Sequence, residues 1–203
     1  RIVYGIFHAN REIARADKCY LVEGYTDVLS LHQAGIENVV ASSGTALTHD
    51  QIRLIRRFSS NITILYDGDE AGIKASLRGI DLVLEEGMNV KVLLLPPGED
   101  PDSFARRHSS SELLKFISEN ETDFIRFKTS LLLRDAGSDP MARARLITEV
   151  IRSVAVIPDQ VARSVYIREC SRLLDVEENL LYSEVRKILR SEEHTSELQS
   201  RQV

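Results

Sequence analysis

The chain reads as an α/β protein, a mainly parallel sheet flanked by helices, followed by an all-α helical subdomain. Three observations predict this. Short apolar runs near 19–22, 39–41, 62–66 and 90–95 alternate with amphipathic stretches, the pattern of βαβ units with helices on both faces of a sheet. The run Ile62–Tyr66 is apolar on both faces, as a central parallel strand is. Beyond residue 109 the strand pattern disappears and only helical periodicity is left.

The elements follow in order. Residues 2–16 have helical spacing, with Ile6, Ala9, Ile13 and Ala16 near one face. Cys19–Val22 is the first strand and stops at Glu23. Residues 26–34 are helical and end at Gly35, a good C-terminal cap residue. Val39–Ala41 is a second short strand, followed by the small-residue loop 42–45. Thr48 with Gln51 three positions on fits a capping box for a helix through Phe58. After the strand 62–66 and the triplet Asp67-Gly68-Asp69, a helix carries Ile73, Leu77, Ile80 and Leu84 as one apolar stripe and ends at Gly87. Residues 90–95 form the fourth strand, closed by Pro96-Pro97-Gly98. Helical segments follow near 110–119, 122–135, 140–156, 159–174 and 177–189, with Ser109 and Glu112 as another capping box. The expected organisation is a helical lead-in (1–17), a catalytic α/β domain (18–108), a helical subdomain (109–189) and a tail (190–203). The tail, Arg190 to Ser200 above all, resembles the translation of a sequencing-library adapter and is set apart as non-native.

Composition excludes several classes. With 203 residues, 43% of them hydrophobic and 28% charged, the chain can bury a core and is far from the disordered class. No apolar run approaches the roughly 20 residues needed to span a bilayer, and there is no secretory signal, so no membrane is expected and a cytoplasmic location is. Cys19 and Cys170 lie far apart, and the five histidines form no paired ligand pattern, so no zinc is expected. A net charge of −5 argues against nucleic-acid binding through bulk positive charge, although Arg53, Arg56, Arg57, Lys74 and Arg78 cluster in sequence near the acids.

Those acids carry the chemistry. Glu23 and the Asp67-Gly68-Asp69 triplet both follow buried-strand patterns, and ligands of open α/β sheets bind at the carboxyl ends of the strands. Two like charges about 4 Å apart repel by roughly 4 kcal/mol at an effective dielectric near 20, so a proton or a cation must relieve them. Carboxylate oxygens are the hard ligands Mg²⁺ prefers, and the ion fills its remaining positions with water and phosphate. Glu23, Asp67 and Asp69 are the first candidates as catalytic metal ligands. Asp27, one helical turn after Glu23, and Asp100 and Asp102, from the loop after the fourth strand, are second choices. Asp27 serves equally as a first-turn acid favouring the helix dipole, and 98–102 equally as an acidic turn. An Asx-type turn explains a single acid at 67–69 but not acids at the ends of two strands. Gly24, Gly68 and Gly72 suit tight turns or close approach to phosphate. Gly44 and Thr45 are candidates to line the site, and Lys74 and Arg78 to meet phosphate.

Four segments carry a family resemblance: Glu23-Gly24-Tyr25-Thr26-Asp27-Val28, Ala41 to Thr48, Tyr66 to Gly72, and Pro97-Gly98-Glu99-Asp100-Pro101-Asp102. In order and approximate spacing they resemble the motifs of the Toprim domain of bacterial DnaG-type primases, over about residues 3–189. The resemblance implies a Toprim-type sheet and synthesis of short RNA primers on a single-stranded DNA template from ribonucleoside triphosphates. It implies Mg²⁺, for which Mn²⁺ substitutes, and a part for Glu23 in acid–base steps. Two ions roughly 4 Å apart supply most of what nucleotidyl transfer needs. The family also uses an upstream zinc module, a basic N-terminal part of the polymerase domain and a C-terminal domain that contacts the replicative helicase. All three are expected to lie outside this chain, which is then truncated at both ends and makes few or no primers alone.

Two other functions compete. A Toprim-type nuclease or topoisomerase-like enzyme would use the same acids, although Tyr4, Tyr20, Tyr25, Tyr66, Tyr166 and Tyr182 are better explained by packing or motif than as a strand-cleaving nucleophile. A catalytically silent binding module would keep the acids only as turn formers. A receiver-type domain, whose acids also bind Mg²⁺, lacks the expected lysine context and leaves the helical half unexplained.

Overall fold

The computed structural model describes residues 3–42, 47–68 and 70–200; of the side chains of 70–72, 74–76, 78 and 192–200 nothing is described. Five strands, β1 (Cys19–Val22), β2 (Val39–Ala41), β3 (Asn61–Tyr66), β4 (Asn89–Leu94) and β5 (Thr122–Asp123), form one sheet in the order β2-β1-β3-β4-β5. The first four are parallel, and β5 returns antiparallel on β4. Helices α1 (Ile6–Ala16), α2 (Tyr25–Gln33), α3 (His49–Arg56), α4 (Glu70–Glu85), α5 (Pro101–Arg107) and α6 (Ser110–Asn120) complete the first of two compact units, which ends at Phe124.

Register explains the layers. Tyr20 lies beside Val39 on one side and Thr63 on the other, and Thr63 beside Lys91, so these residues share one face, since side chains alternate along strands. On that face Tyr20, Val22, Val39, Ala41, Leu65 and Leu93 pack with Val28 and Leu31 of α2, Phe104 and Ala105 of α5, and Leu113 and Ile117 of α6. Leu21, Val40, Ile62, Ile64, Val90 and Val92, also buried, alternate with them and belong to the opposite face. Right-handed crossovers in this strand order put α3 and α4 there. The expected stripe Ile73, Leu77, Ile80 and Leu84 is buried, and each such side chain contributes roughly 1.5–3 kcal/mol of burial.

The second unit begins at Ile125 and is helical: α7 (Phe124–Ala136), α8 (Pro140–Ala155), α9 (Gln160–Leu174) and α10 (Glu178–Ser200). Helices α8, α9 and α10 pack on one another around Val150, Ile151, Val154, Ile167, Leu174, Leu181 and Val185, all buried. Asp139 and Asp159 cap α8 and α9 through their carboxylates.

Several elements differ from the sequence reading. Helix α1 starts at Ile6 rather than at residue 2, because Tyr4 is drawn into an antiparallel bridge with Ala41. Pro101–Arg107 is a helix, not only an acidic turn. A strand, β5, exists beyond residue 109, and it pairs with Lys91 and Val92. With α6 packed on β4, this keeps α5 and α6 in the first unit, so the units divide at 124/125 and not near 108. Helix α10 runs on to Ser200, past the expected end at 189; that stretch holds neither glycine nor proline and several good helix formers.

Candidate metal centre at the strand ends

The order β2-β1-β3-β4 makes the boundary between β1 and β3 the topological switch point, because the chain leaves β1 toward β2 and returns to the far side of β1 as β3. Glu23 follows β1 directly and Asp67 follows β3 directly. Cys19 pairs with Ile62 and Leu21 with Ile64; continued, that register sets Glu23 beside Tyr66, one residue short of Asp67, on strands about 4.8 Å apart. Both acids are exposed. Open α/β sheets bind ligands in this crevice.

Gly24 is the N-cap of α2, in extended conformation, and its N–H donates to Asp27 Oδ2 at 3.0 Å. Asp27 thereby fixes the turn leading out of Glu23 and sits where a first-turn acid favours the helix dipole. Its carboxyl is pushed above the ordinary aspartate range, first by burial and then by the charges of Asp67 and Asp100, against the Gly24 hydrogen bond. The charges of Asp67 and Asp100 thus both reach Asp27 at this end of the sheet.

The loop after β4 is clamped to the loop after β3. The Gly68 N–H donates to the Glu99 carbonyl at 3.1 Å, and a Cβ at Gly68 would stand 2.3 Å from the Pro96 carbonyl oxygen, so only glycine passes. Asp100 is the N-cap of α5 and accepts from the Ser103 N–H at 2.7 Å. That bond, the Ser103 hydroxyl, Arg107 and Arg106 hold its carboxyl below the usual range. Asp102 accepts from the Ser30 hydroxyl of α2 and from Arg106 Nε at 2.8 Å. Glu99 accepts from Arg107 Nη1 at 2.6 Å and from the Ser103 hydroxyl at 3.0 Å. The acids of this loop thus each hold a local bond that seats α5 or docks it on α2. Ser30 escaped the sequence reading, and Glu99 was read only as part of the acidic motif; the Asp-Pro step opening a capping box at Asp100 was the available signal for this helix.

Of the remaining candidates, Asp69, Gly44 and Thr45 lie outside the described residues, as do the side chains of Lys74 and Arg78. Among the described residues, no three histidine, cysteine or acidic residues are grouped to hold one ion, and no helix is long and apolar enough to cross a membrane.

Fold, switch point and strand-end acids define a Toprim-type domain: residues 20–105 match the family described as Toprim-like. Residues 125–179 match the DnaB-helicase binding domain of primase. The chain is 38% identical over 171 residues to the DNA primase of Clostridium acetobutylicum, an alignment covering 82% of this chain and 28% of that protein. It superposes on the crystal structure of a DNA primase domain from Pseudomonas aeruginosa with a TM-score of 0.80 at 28% identity, over 92% of this chain and 59% of that one. A DnaG primase catalytic domain bound to single-stranded DNA gives 0.74 at 31% identity, over 85% and 56%. The chain belongs to the bacterial DnaG-type DNA primase family. It spans less than a third of the length of the curated relatives it matches. The expectation that a helicase-binding segment lies wholly outside the chain is corrected, since the stretch matching that description runs through α7, α8 and α9.

Proposed function

We propose that the strand-end acids form a Mg²⁺-dependent nucleotidyl-transfer centre that makes short RNA primers on single-stranded DNA, as part of a longer protein. The observation that carries this reading is the placement of Glu23 and Asp67 on either side of the switch point, with Asp27 feeling the charge of Asp67. The donors fit the ion. Hard carboxylate oxygens suit Mg²⁺, and one or two of them suffice when nucleotide phosphate and water complete the shell. Burial and, after it, the charges of Asp67 and Asp100 lift Asp27, and a cation at this place would relieve the repulsive share.

Mg²⁺ held here would supply positive charge to the transferring phosphoryl group and lower the barrier to deprotonating the attacking 3′-hydroxyl. Glu23, Asp67 and Asp69 are the residues proposed to hold it. Asp27 fixes the start of α2 and is available as a further oxygen donor. Asp100 and Asp102 keep α5 against α2 and so hold the third loop in position; direct metal contact is a second part open to them. Gly24, Gly44, Thr45, Lys74 and Arg78 are proposed to meet the phosphates of ribonucleoside triphosphate or template. Residues 125–179 are proposed to contact the replicative helicase, in the cytoplasm.

Calorimetric titration of Mn²⁺, as a probe for Mg²⁺, tests the centre. Saturable binding to the wild type is expected, with Asp67→Asn and Glu23→Gln each weakening it about tenfold or more, some 1.4 kcal/mol. A wild type that binds no Mn²⁺ overturns the reading. With template and ribonucleotides supplied to the longer protein, labelled DNA is expected to direct primer synthesis; its cleavage instead would favour a nuclease.

A further inference from the structure

Beside the acids stand two aromatic side chains that the fold leaves in water. Tyr25 opens α2 between Glu23 and Asp27 and is 58% exposed; Tyr4, just ahead of α1, is 37% exposed. Their rings meet edge to face, centroids 5.9 Å apart and planes at 61°. Both are anchored by backbone. Tyr4 exchanges two 3.1 Å hydrogen bonds with Ala41, the last residue of β2. Tyr25 lies in the first turn of a helix whose next turn is buried at Val28. Gly5, at φ +83°, brings the two helix starts together, where a Cβ would come within 3.2 Å of both Val28 Cγ1 and the Val39 carbonyl. Leu29, one turn after Tyr25 on α2, is 51% exposed, and Phe7 near the start of α1 is 82% exposed.

Of nine large hydrophobic side chains exposed among the described residues, four are these, and such a concentration marks a binding surface. Its position selects the occupant. The patch is continuous in sequence with two candidate metal ligands, Glu23 and Asp27, and a nucleobase lies one sugar away from its phosphate. A tyrosine face takes any base, because stacking needs only a π surface. It also needs no positive charge, which suits a chain of net charge −5.

We propose that Tyr25, braced by Tyr4, is a stacking platform for a nucleobase of the single-stranded template that passes beside the acids. The proposal rests on the reading of those acids as a phosphate-handling centre and adds a base-contacting surface to it. Tyr25 holds a template base beside the acids, so binding tolerates sequence but depends on the bases being present.

The test compares a short oligothymidylate with the same backbone made abasic, both fluorescently labelled, by anisotropy with the full chain in Mn²⁺. The wild type is expected to bind the intact strand more tightly. Tyr25→Leu should weaken the intact strand about fivefold to a hundredfold, the usual worth of one stacked base, and leave the abasic strand unchanged; Tyr25→Phe should restore the difference. With no tryptophan in the chain, quenching of tyrosine fluorescence by the intact strand alone gives a second readout. Equal binding of the two strands by the wild type overturns the platform. So does equal weakening of both by Tyr25→Leu, as expected if another protein segment covers the patch. Mn²⁺ titration separates the two readings. Metal binding without base dependence sinks the platform alone, and base dependence without metal binding sinks the metal centre alone.

Discussion

Asp27 and Glu121 are both partly buried carboxylates on the same unit, and their protons are pulled in opposite directions. Glu121, at the C-cap of α6, accepts from Lys18 at 2.5 Å, Lys91 at 2.8 Å and the Thr63 hydroxyl at 3.1 Å. Burial pushes its carboxyl up, but the two lysines outweigh burial and hold it below the usual range. Asp27 gains backbone bonds from Gly24 and Asp102 but faces Asp67 and Asp100, and burial and like charge together win. The first arrangement is a finished structural ion cluster near the amino ends of the strands. The second, at their carboxyl ends, sets like charges near a partly buried acid, the kind of arrangement that marks a candidate functional site.

The sharpest way to break the contrast is at Gly68. Gly68→Ala forces a methyl against the Pro96 carbonyl and should cost about 3 kcal/mol in urea denaturation, with loss of Mn²⁺ binding, while the Glu121 cluster is untouched. Next, Glu121→Gln leaves Lys18 and Lys91 without a charged partner and should cost about 2 kcal/mol with Mn²⁺ affinity unchanged. Because the folded Glu121 carboxyl is lowered, its contribution is full above the unfolded value and fades as pH falls through the folded one. The smallest effect is at Asp27, with the opposite sign. Its raised carboxyl binds more protons folded than unfolded, so wild-type stability declines as pH rises from the ordinary aspartate range through the folded value. Asp27→Asn, which keeps an acceptor for Gly24, should flatten that slope and stabilise the metal-free protein by about 0.5 kcal/mol. Denaturation midpoints at several pH values check it, and an unchanged slope would refute the repulsion.

Much of this was legible in sequence because it was local. The stripe Ile73, Leu77, Ile80, Leu84 and the box Thr48–Gln51 follow from spacing alone, and both stand in the structure. The positions of Glu23 and Asp67 at strand ends were equally readable. What escaped depends on distant partners. Glu121 is linked to Lys18 across 103 positions, and β5 exists only through its pairing with β4. Helix α5 was readable but masked by the acidic composition of 99–102. The roles of Asp100 and Asp102 changed in weight for the same reason: alone they are acids in a turn, but Asp100 opposite Ser103 and Asp102 opposite Ser30 and Arg106 are fasteners.

The Tyr4–Ala41 bridge has a consequence for the chain in company. A sheet with free edges recruits strands from other molecules. Here β2, at one edge, is met by Tyr4 and β4, toward the other, by the two residues of β5. Among the described residues each seal runs antiparallel to a parallel sheet and pairs only one or two residues. A few residues thus guard the molecule against edgewise self-assembly, and one of them, Tyr4, offers its ring to solvent while its backbone closes the seam.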